Sequence, residues 1–395
     1  MVDILVEDVI APALNTGPNL WGPYWSDNNT GIIVYADFNN DVVYARTTDG
    51  GLTWAEVTLE ANSWTIISCW YDKETNGNTG TLVHVAWIDD GPDDLKYVAI
   101  DVAAGSVGTI RIVDNAITVD INRSLQRLSV TKTRGGNILI AFSTQTEIGM
   151  YRSVNDGVNW TARADVYETA TEEDWVLLFP GAGADNQDAA AVFWDRSADE
   201  ITLKIYDDSA DSWAEFGTLI AATAVDSEVY LWMDGAVRHS DDHVLLGWHS
   251  SGDTAGDDLQ TAELTVGDSP AVTAKTNVFT NQEESGQVAI LIDQLTDAVY
   301  LAHIKGGTWL SSTSAVVFHV STDGMLNWGS EEEYSETTRS YAQISSGHSV
   351  GSAGGHFQPA MHNIAGPRAI HVNLVNQSLN LPSGATKKAI LLISS

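Results

Sequence analysis

Thr47-Thr48-Asp49-Gly50-Gly51-Leu52-Thr53-Trp54 is the stretch that decides the fold. Its pattern is hydroxyl, any residue, Asp, any residue, Gly, any residue, hydroxyl and Trp, and it follows an alternating apolar run typical of a β-strand. The Asp49 carboxylate is suited to accept backbone N–H groups in a tight turn, and Gly51 is suited to the positive φ that such a turn needs. Trp54 then supplies a large apolar cover on the next strand. The stretch therefore predicts a tight turn between two strands.

The same pattern returns at residues 153–160 (SVNDGVNW) and 321–328 (STDGMLNW), and a degraded copy stands at 208–213 (DSADSW). In the third copy Met325 replaces the glycine, and the degraded copy keeps an Asp, one hydroxyl and the Trp. The predicted turn residues are Thr47, Asp49, Gly51, Thr53 and Trp54, then Ser153, Asn155, Gly157 and Trp160, then Asp208 and Trp213, and finally Ser321, Asp323 and Trp328.

The Trp residues that end the four copies lie 106, 53 and 115 residues apart. A period of about 50 residues indicates a repeat architecture. These turns resemble the Asp-box, or BNR, repeats of the sialidase-like β-propeller family, in which the box joins the third and fourth strands of a blade at the periphery. The resemblance implies an all-β, seven-bladed β-propeller of four-stranded antiparallel blades, with a six-bladed ring as the alternative.

Length and composition fit one large repeat-built unit. With 395 residues, 44% of them hydrophobic, the chain can bury a sizeable core. We expect a single propeller domain over residues 1–395, in which residues 1–19 form an N-terminal strand and connector that closes the last blade and residues 20–395 form the blades. Second strands carry a recurring aromatic residue, Trp87, Trp194 or Trp248, that we expect to fill the core between blades.

The charge balance limits the classes of partner. The chain has 19 basic and 53 acidic residues, a formal net charge of −34, so it cannot neutralise a nucleic-acid backbone. It shows no long apolar span and no visible signal peptide, which predicts no membrane insertion. The lone Cys69 sits in an apolar strand-like run and is expected to be a buried thiol.

In a propeller, ligands meet the loops that join the fourth strand to the next blade and the second strand to the third. Here the candidate loops are residues 60–64, 89–94, 167–175, 249–258, 305–314 and 334–341. They hold aromatic residues that suit a carbohydrate-binding platform, because the apolar faces of sugars stack on rings. These candidates are Trp64, Trp175, Trp309 and Tyr341, and the alternative is that the rings pack beneath the loops.

The resemblance to sialidases implies three arginines around a sugar carboxylate, a Tyr–Glu nucleophile pair and an Asp acid/base. The family's early aromatic-Arg-Ile-Pro motif has no match at residues 19–25. Arg134, Arg238 and Arg368 are the arginines near plausible ligand-face positions, and Arg134 and Arg238 join the candidate ligand-binding residues. The many Asp and Glu residues leave ordinary glycoside hydrolysis by a carboxylate pair open, and no catalytic residue is assigned.

No cofactor or metal site is predicted, with Ca²⁺ as an open alternative at acidic clusters. These clusters are at residues 89–94, 172–174 and 253–258, and solvated surface charge is the competing interpretation. The gaps between His348, His356 and His362 match no zinc pattern.

The repeated turn motifs are present, whereas the catalytic motif of the sialidases has no match. This combination favours a non-enzymatic recognition or structural protein. The expected setting is extracellular or virion-associated, such as a virion surface or tail component, and the expected partners are a glycan or other virion or surface proteins. The alternative is an exo-acting glycoside hydrolase of the sialidase-like group.

Overall fold

The computed structural model describes most of the chain between residues 3 and 373. The described residues are 3–7, 20–37, 39–61, 63, 65–89, 92–117, 128–144, 146–168, 174–195, 198, 200–220, 232–249, 259–275, 278, 288–305, 314–335, 341–345, 347–350, 359–363 and 369–373. They form β-strands joined by turns and one 3-10 helix, Asp72–Glu74. No helix in these ranges is long and apolar enough to cross a membrane.

The strands are numbered in chain order. The first ten are β1 (Asp3–Glu7), β2 (Leu20–Trp25), β3 (Gly31–Ala36), β4 (Val42–Thr47), β5 (Ala55–Glu60), β6 (Thr65–Tyr71), β7 (Leu82–Asp89), β8 (Asp94–Asp101), β9 (Ser106–Val107) and β10 (Arg111–Asp114). The next ten are β11 (Leu128–Lys132), β12 (Ile138–Ser143), β13 (Ile148–Ser153), β14 (Thr161–Tyr167), β15 (Trp175–Pro180), β16 (Ala189–Asp195), β17 (Glu200–Asp207), β18 (Ser212–Ile220), β19 (Trp232–Arg238) and β20 (His243–His249). The last ten are β21 (Leu259–Thr265), β22 (Ala271–Ala274), β23 (Val288–Asp293), β24 (Ala298–Lys305), β25 (Ala315–Ser321), β26 (Glu332–Glu333), β27 (Tyr341–Ser345), β28 (Ser349–Val350), β29 (Ala360–Asn363) and β30 (Ala369–Asn373).

The described strands form seven sheets, numbered here from 1 to 7. Sheets 1, 3, 4 and 5 have the strand orders β2-β3-β4-β5, β11-β12-β13-β14, β15-β16-β17-β18 and β19-β20-β21-β22. Sheet 2 is β6-β7-β8-β10 with β9 beside β8, sheet 6 is β23-β24-β25-β26 with β28 beside β23, and sheet 7 is β27-β29-β30-β1. The innermost strands contact one another in the order β2, β6, β11, β15, β19, β23 and β27, and β27 contacts β2. The predicted all-β propeller of four-stranded antiparallel blades is confirmed.

Strand β1 closes the ring by pairing antiparallel with β30, with Ile4 opposite Val372 and Leu5 opposite His371. The outermost strand of sheet 7 thus comes from the opposite end of the described chain. This pairing removes one unpaired sheet edge.

The innermost strand of each sheet turns one edge toward the ring axis, and polar side chains of neighbouring sheets satisfy part of that edge. Three backbone N–H groups donate in this way: Val130 to Ser68 Oγ at 3.0 Å, Leu178 to Ser129 Oγ at 2.8 Å, and Ile290 to Asp234 Oδ2 at 2.8 Å. In each case the acceptor lies on the preceding sheet. Buried backbone donors need such partners, so these bonds stabilise the packing of one sheet on the next.

The predicted turns at residues 47–54, 153–160 and 321–328 join the third and fourth strands of sheets 1, 3 and 6. In the first copy Thr47 Oγ1 accepts the Gly51 N–H at 3.0 Å, and Asp49 Oδ1 accepts the N–H of Thr53 at 3.0 Å. The same two bonds recur in the other copies, with Ser153 Oγ and Asn155 Oδ1 or Ser321 Oγ and Asp323 Oδ1 as acceptors. The glycine position has φ of 90° at Gly51, 79° at Gly157 and 64° at Met325.

The Trp that ends each of these three turns packs on the preceding sheet. Trp54 joins a cluster with residues of sheet 7, Trp328 joins clusters with residues of sheet 5, and the Trp160 ring lies 5.1 Å from that of Tyr97 on sheet 2. A Cβ atom on Gly157 would stand 2.0 Å from the Tyr97 ring. The glycine therefore serves both the turn and the contact between sheets.

The degraded copy forms a different turn. Asp207, not Asp208, accepts the Ala210 N–H at 2.9 Å, whereas Asp208 pairs with Arg152 on sheet 3 at 2.6 Å. Trp213 donates its ring N–H to the Ala164 carbonyl of sheet 3 at 3.1 Å. Trp213 thus contacts the preceding sheet, as the Trp residues of the other three turns do, whereas the prediction of Asp208 as the turn carboxylate is wrong.

The turns between first and second strands and between third and fourth strands lie on one face of the ring, which we call the box face. On this face residues 72–81 of sheet 2 reach sheet 5. Asn76 Nδ2 donates to the His239 carbonyl at 2.9 Å and to Asp242 Oδ1 at 2.6 Å. Asp72 accepts from Lys132 Nζ on sheet 3 at 2.7 Å. The segment therefore ties together three sheets, including two that are not neighbours.

A buried ionic group lies beside this segment. The ring atom Nε2 of His348 is 2.9 Å from Asp234 Oδ1 of sheet 5. The backbone N–H of His348 donates to Glu74 Oε1 at 2.9 Å. Burial lowers the pKa of His348, but the charges of Asp234 and Glu74 outweigh burial and raise that pKa well above its usual value. The group therefore holds an imidazolium between two carboxylates, a buried charge that is paired as such charges must be.

Candidate functional site

The predicted ligand-binding residues that the structure describes lie in separate environments. Trp175 is 0% exposed and its ring meets that of Trp194 edge-on at 6.1 Å, so it belongs to the core and its prediction as a ligand platform is wrong. Trp64 and Trp309 lie outside the described residues, as does the side chain of Tyr341, whose backbone is in β27.

The two candidate arginines lie on the box face, away from the connections at which the sequence predicts a ligand. Arg134 is 3.6 Å from Asp242, and Arg238 pairs with Asp241 and Glu263. Both guanidinium groups thus already face protein carboxylates. The remaining candidate for an arginine triad, Arg368, lies outside the described residues.

The acidic cluster at residues 89–94 surrounds a lysine. Lys96 Nζ lies 2.7 Å from Asp89 and 3.9 Å from Asp94. Glu60 adds a third carboxylate at 2.6 Å. The Lys96 ammonium group therefore occupies the position among these carboxylates that a bound Ca²⁺ would need. Residues 172–173 and 253–258 of the other two clusters lie outside the described residues.

A pocket of about 290 Å³ lies on the face opposite the box face, between the outer end of sheet 2 and sheet 3. It opens among the connections that follow β10 and that join β12 to β13, which are the two kinds of loop expected to meet a ligand. Its lining is Asp114, Ala116, Ile117, Phe142, Thr144, Thr146, Glu147, Gly149, Met150, Tyr151, Ala162, Arg163 and Asp165. The volume is near the lower end of the range of about 300–1,000 Å³ that is usual for small-molecule sites.

Two aromatic rings form one wall of the pocket. Phe142 on β12 and Tyr151 on β13 stack with centroids 5.8 Å apart and planes inclined by 20°. Phe142 lies over Gly149, where a Cβ atom would come within 3.0 Å of the ring. The pairing of β13 with β14 is irregular between Ile148 and Met150, beside this glycine. Strand irregularities of this kind often reorient side chains next to a site.

Three carboxylates form the polar part of the pocket. Asp114 accepts the Tyr151 hydroxyl at 2.5 Å, and burial together with this hydrogen bond raises the pKa of Tyr151 to about 12. Burial, then the negative charges of Glu147 and Glu168, raises the pKa of Asp165 above its usual value. Carboxyl groups whose pKa is shifted by burial and by neighbouring charges occur often at functional sites.

The loop that carries Glu147 is held by one hydroxyl. Thr144 Oγ1 accepts the N–H groups of Thr146 at 3.2 Å and Glu147 at 3.0 Å, and the Thr144 N–H donates to the Glu147 carbonyl at 2.8 Å. Glu147 therefore has a fixed backbone position at the pocket.

The lining residue Arg163 directs its charge away from the pocket. Its Nε donates to Tyr206 Oη at 2.6 Å and its NH2 group to the Asp208 carbonyl at 2.7 Å, both on sheet 4. Thus the pocket offers oxygen acceptors, one tyrosine and an aromatic wall. The charged groups that face it are mainly negative.

This site was not predicted from the sequence. Its polar residues come from three separate segments, around residues 114, 147 and 165, whose proximity depends on how sheets 2 and 3 pack. The available signal was the sequence Phe142-Ser143-Thr144-Gln145-Thr146-Glu147, in which an aromatic strand end precedes a short polar turn.

Comparisons with known proteins identify similar folds. No known family model and no curated protein sequence matches the chain. A PL25 ulvan lyase structure is 10% identical, with a TM-score of 0.54 and 94% coverage of both chains, and the PL25 ulvan lyase bound to -[GlcA(1-4)Rha3S]- gives 0.55. Hydrazine synthase from Kuenenia stuttgartiensis is 9% identical, with a TM-score of 0.54 and coverage of 94% and 97%. At these identities the similarity shows the fold alone, and proteins of different function share this fold.

Proposed function

We propose that this chain is an Asp-box propeller that recognises a glycan, and that the pocket between sheets 2 and 3 holds one sugar unit. The observation that carries the proposal is the combination of a stacked Phe142–Tyr151 wall with the oxygen acceptors Asp114, Glu147 and Asp165 around one small cavity. Sugars present apolar C–H faces to rings and hydroxyl groups to acceptors. The three turns with shared hydrogen bonds support membership of the Asp-box family.

The charge of the site selects among sugars. Three carboxylates line the pocket, the Arg163 guanidinium faces away from it, and the chain carries a net charge of −34. Carboxylated or sulfated sugars would be repelled by this field. The proposed ligand is therefore a neutral hexose or an amino sugar, and the ulvan of the similar lyase, with its uronate and sulfate groups, is an unfavourable ligand here.

Glycan binding can be tested with a glycan array followed by calorimetry on the best ligand. Replacing Glu147 or Asp165 by the amide removes a charged acceptor, which is worth about 1.5–3 kcal/mol and lowers affinity about 10- to 100-fold. Glu333→Gln is the matched control, because Glu333 lies on β26 of sheet 6 and does not line the pocket. Equal affinity of all three variants and the parent would reject the site.

A second candidate function is hydrolysis of a glycoside. It is favoured by Asp165, whose raised pKa suits a general acid, beside the carboxylate of Glu147 in the same pocket. A panel of fluorogenic neutral and amino-sugar glycosides tests it. Turnover that Asp165→Asn abolishes and Glu333→Gln preserves would establish catalysis, and binding without turnover by the parent protein would favour recognition.

We further propose that the protein acts outside the cell or on a virus particle, where free glycans and surface proteins are its partners. The net charge of −34 supports this setting by disfavouring nucleic-acid partners. Mass spectrometry of culture supernatant, cell pellet and purified particles tests the location. Recovery in the cell pellet alone would contradict it.

A further inference from the structure

Sheet 6 brings together two histidines that are 16 positions apart in sequence. His303 lies on β24 and His319 on β25, with Leu301 opposite His319 and Val317 opposite His303 in the register of the two strands. The histidines are therefore diagonal neighbours on one face of the sheet. Their rings are nearly parallel, inclined by 19° with centroids 5.7 Å apart, and both residues are buried.

Glu331, in the connection that leads to β26, completes the group. One ligand atom from each of His303, His319 and Glu331 lies within 4.8 Å of the others. The two imidazoles are thus on the buried side and the carboxylate is on the exposed side. This arrangement gives a pocket of donor atoms with an entrance from solvent.

The hydrogen bond of His319 fixes which of its ring nitrogens carries the proton. Its Nδ1 lies 3.0 Å from the Gly329 carbonyl, which can only accept, so Nδ1 carries the proton and Nε2 keeps its lone pair. Metal-binding histidines commonly donate their other ring N–H to a backbone carbonyl in this way, because the bond orients the ring.

Lys305 is the cation that now faces Glu331, with Nζ at 2.6 and 2.7 Å from the two carboxylate oxygens. Both side chains of this pair are about one third exposed, so water screens the contact and the pair is weak. Glu331 can therefore exchange the ammonium group for another cation by a side-chain rotation.

We propose that His303, His319 and Glu331 form a binding site for a divalent transition metal of the Zn²⁺ type. Two imidazoles and one carboxylate form a donor set that binds Zn²⁺ in preference to Ca²⁺ or Mg²⁺. Three protein ligands leave the fourth coordination position for water or a ligand group. Tetrahedral bonds of about 2.0–2.1 Å place donor atoms roughly 3.3 Å apart. The donors must therefore close by at most about 1.5 Å, which rotation of Glu331 away from Lys305 supplies in part.

The test uses the full chain, dialysed against chelator and then titrated with ZnCl₂ by calorimetry. Millimolar CaCl₂ is present throughout to occupy surface carboxylates, which otherwise bind cations non-specifically on so acidic a protein. The expected result is one Zn²⁺ per chain. CoCl₂ in place of zinc should give the visible absorption bands of tetrahedral Co²⁺, which surface binding does not produce.

Four variants distinguish zinc binding at this site from non-specific binding to surface carboxylates. His319→Gln and Glu331→Gln should each lower zinc affinity at least tenfold, and Glu331→Gln is exposed enough to leave the fold intact. Glu332→Gln is the matched control, because Glu332 pairs with Phe318 and so belongs to the other face of the sheet. Lys305→Met should raise affinity about two- to fivefold by freeing the carboxylate. Binding that is absent, or that His319→Gln and Glu331→Gln leave unchanged, would overturn the proposal.

Discussion

Met325 occupies the position of the third turn at which the other two turns have glycine. Its φ is 64°, in the left-handed region, and its side chain is 0% exposed, in a cluster with Ala236, Leu245 and Ile290. Two effects therefore oppose each other at this residue. The buried side chain stabilises the contact of sheet 6 with sheet 5, whereas its Cβ atom strains the backbone.

The magnitudes lead to an unusual order of stability. Truncating a buried Met to Ala costs about 2–5 kcal/mol of unfolding free energy. Alanine retains the left-handed penalty of about 1–2 kcal/mol, which glycine avoids. Glycine in turn loses about 0.5–1 kcal/mol through its larger unfolded-state entropy. We therefore expect Met325→Gly to be less stable than the parent but more stable than Met325→Ala by roughly 0.5 kcal/mol.

Urea unfolding of both variants, followed by tryptophan fluorescence, measures this order. Met361 on β29 is the control, because it is also 0% exposed but has no positive φ. There, Ala should be more stable than Gly by about 0.5–1 kcal/mol. The difference in unfolding free energy between the Gly and the Ala variant should thus have opposite signs at positions 325 and 361. The same sign at both would refute the account of Met325 as a strained turn residue.

Three further predictions concern other buried groups. Thr47→Val should cost about 1–3 kcal/mol of unfolding free energy, measured in urea, because the buried Gly51 N–H loses its acceptor. His348 has a raised pKa in the folded state, so its stabilising effect is complete below about pH 6.5 and is lost as pH rises through the folded-state value. The gap in urea midpoint between parent and His348→Gln should therefore narrow from pH 6.5 to 9, and a constant gap would contradict this. Burial raises the pKa of the Cys69 thiol, so a disulfide reagent should label it only after unfolding, and rapid native labelling would show the assignment wrong.

The fold was largely predictable because its main signal is local. Each turn is fixed by bonds among residues at most four positions apart, such as Thr47 to Gly51 and Asp49 to Thr53, so a short pattern is enough to find it. The prediction for Asp208 failed because a local pattern does not report long-range partners. That carboxylate bonds to Arg152 on another sheet, and one sequence gives no sign of such a long-range partner.

The candidate sites were not predictable from spacing. Asp114, Glu147 and Asp165 meet only because sheets 2 and 3 pack side by side, and His303 meets His319 through the register of β24 and β25. Trp175 shows the converse error. A Trp at the start of an inner strand looks exposed when its loop is considered alone, but the strand carries it into the core against Trp194.

The pairing of β1 with β30 has a consequence for biosynthesis. More than 350 residues separate the two strands, whereas each of the other six sheets takes its four main strands from one continuous stretch of chain. At translation rates of about 5–20 residues per second, β1 waits roughly 20–70 s for its partner to leave the ribosome. Strand β1 is thus made before the other six sheets but is paired only after their strands have been synthesised.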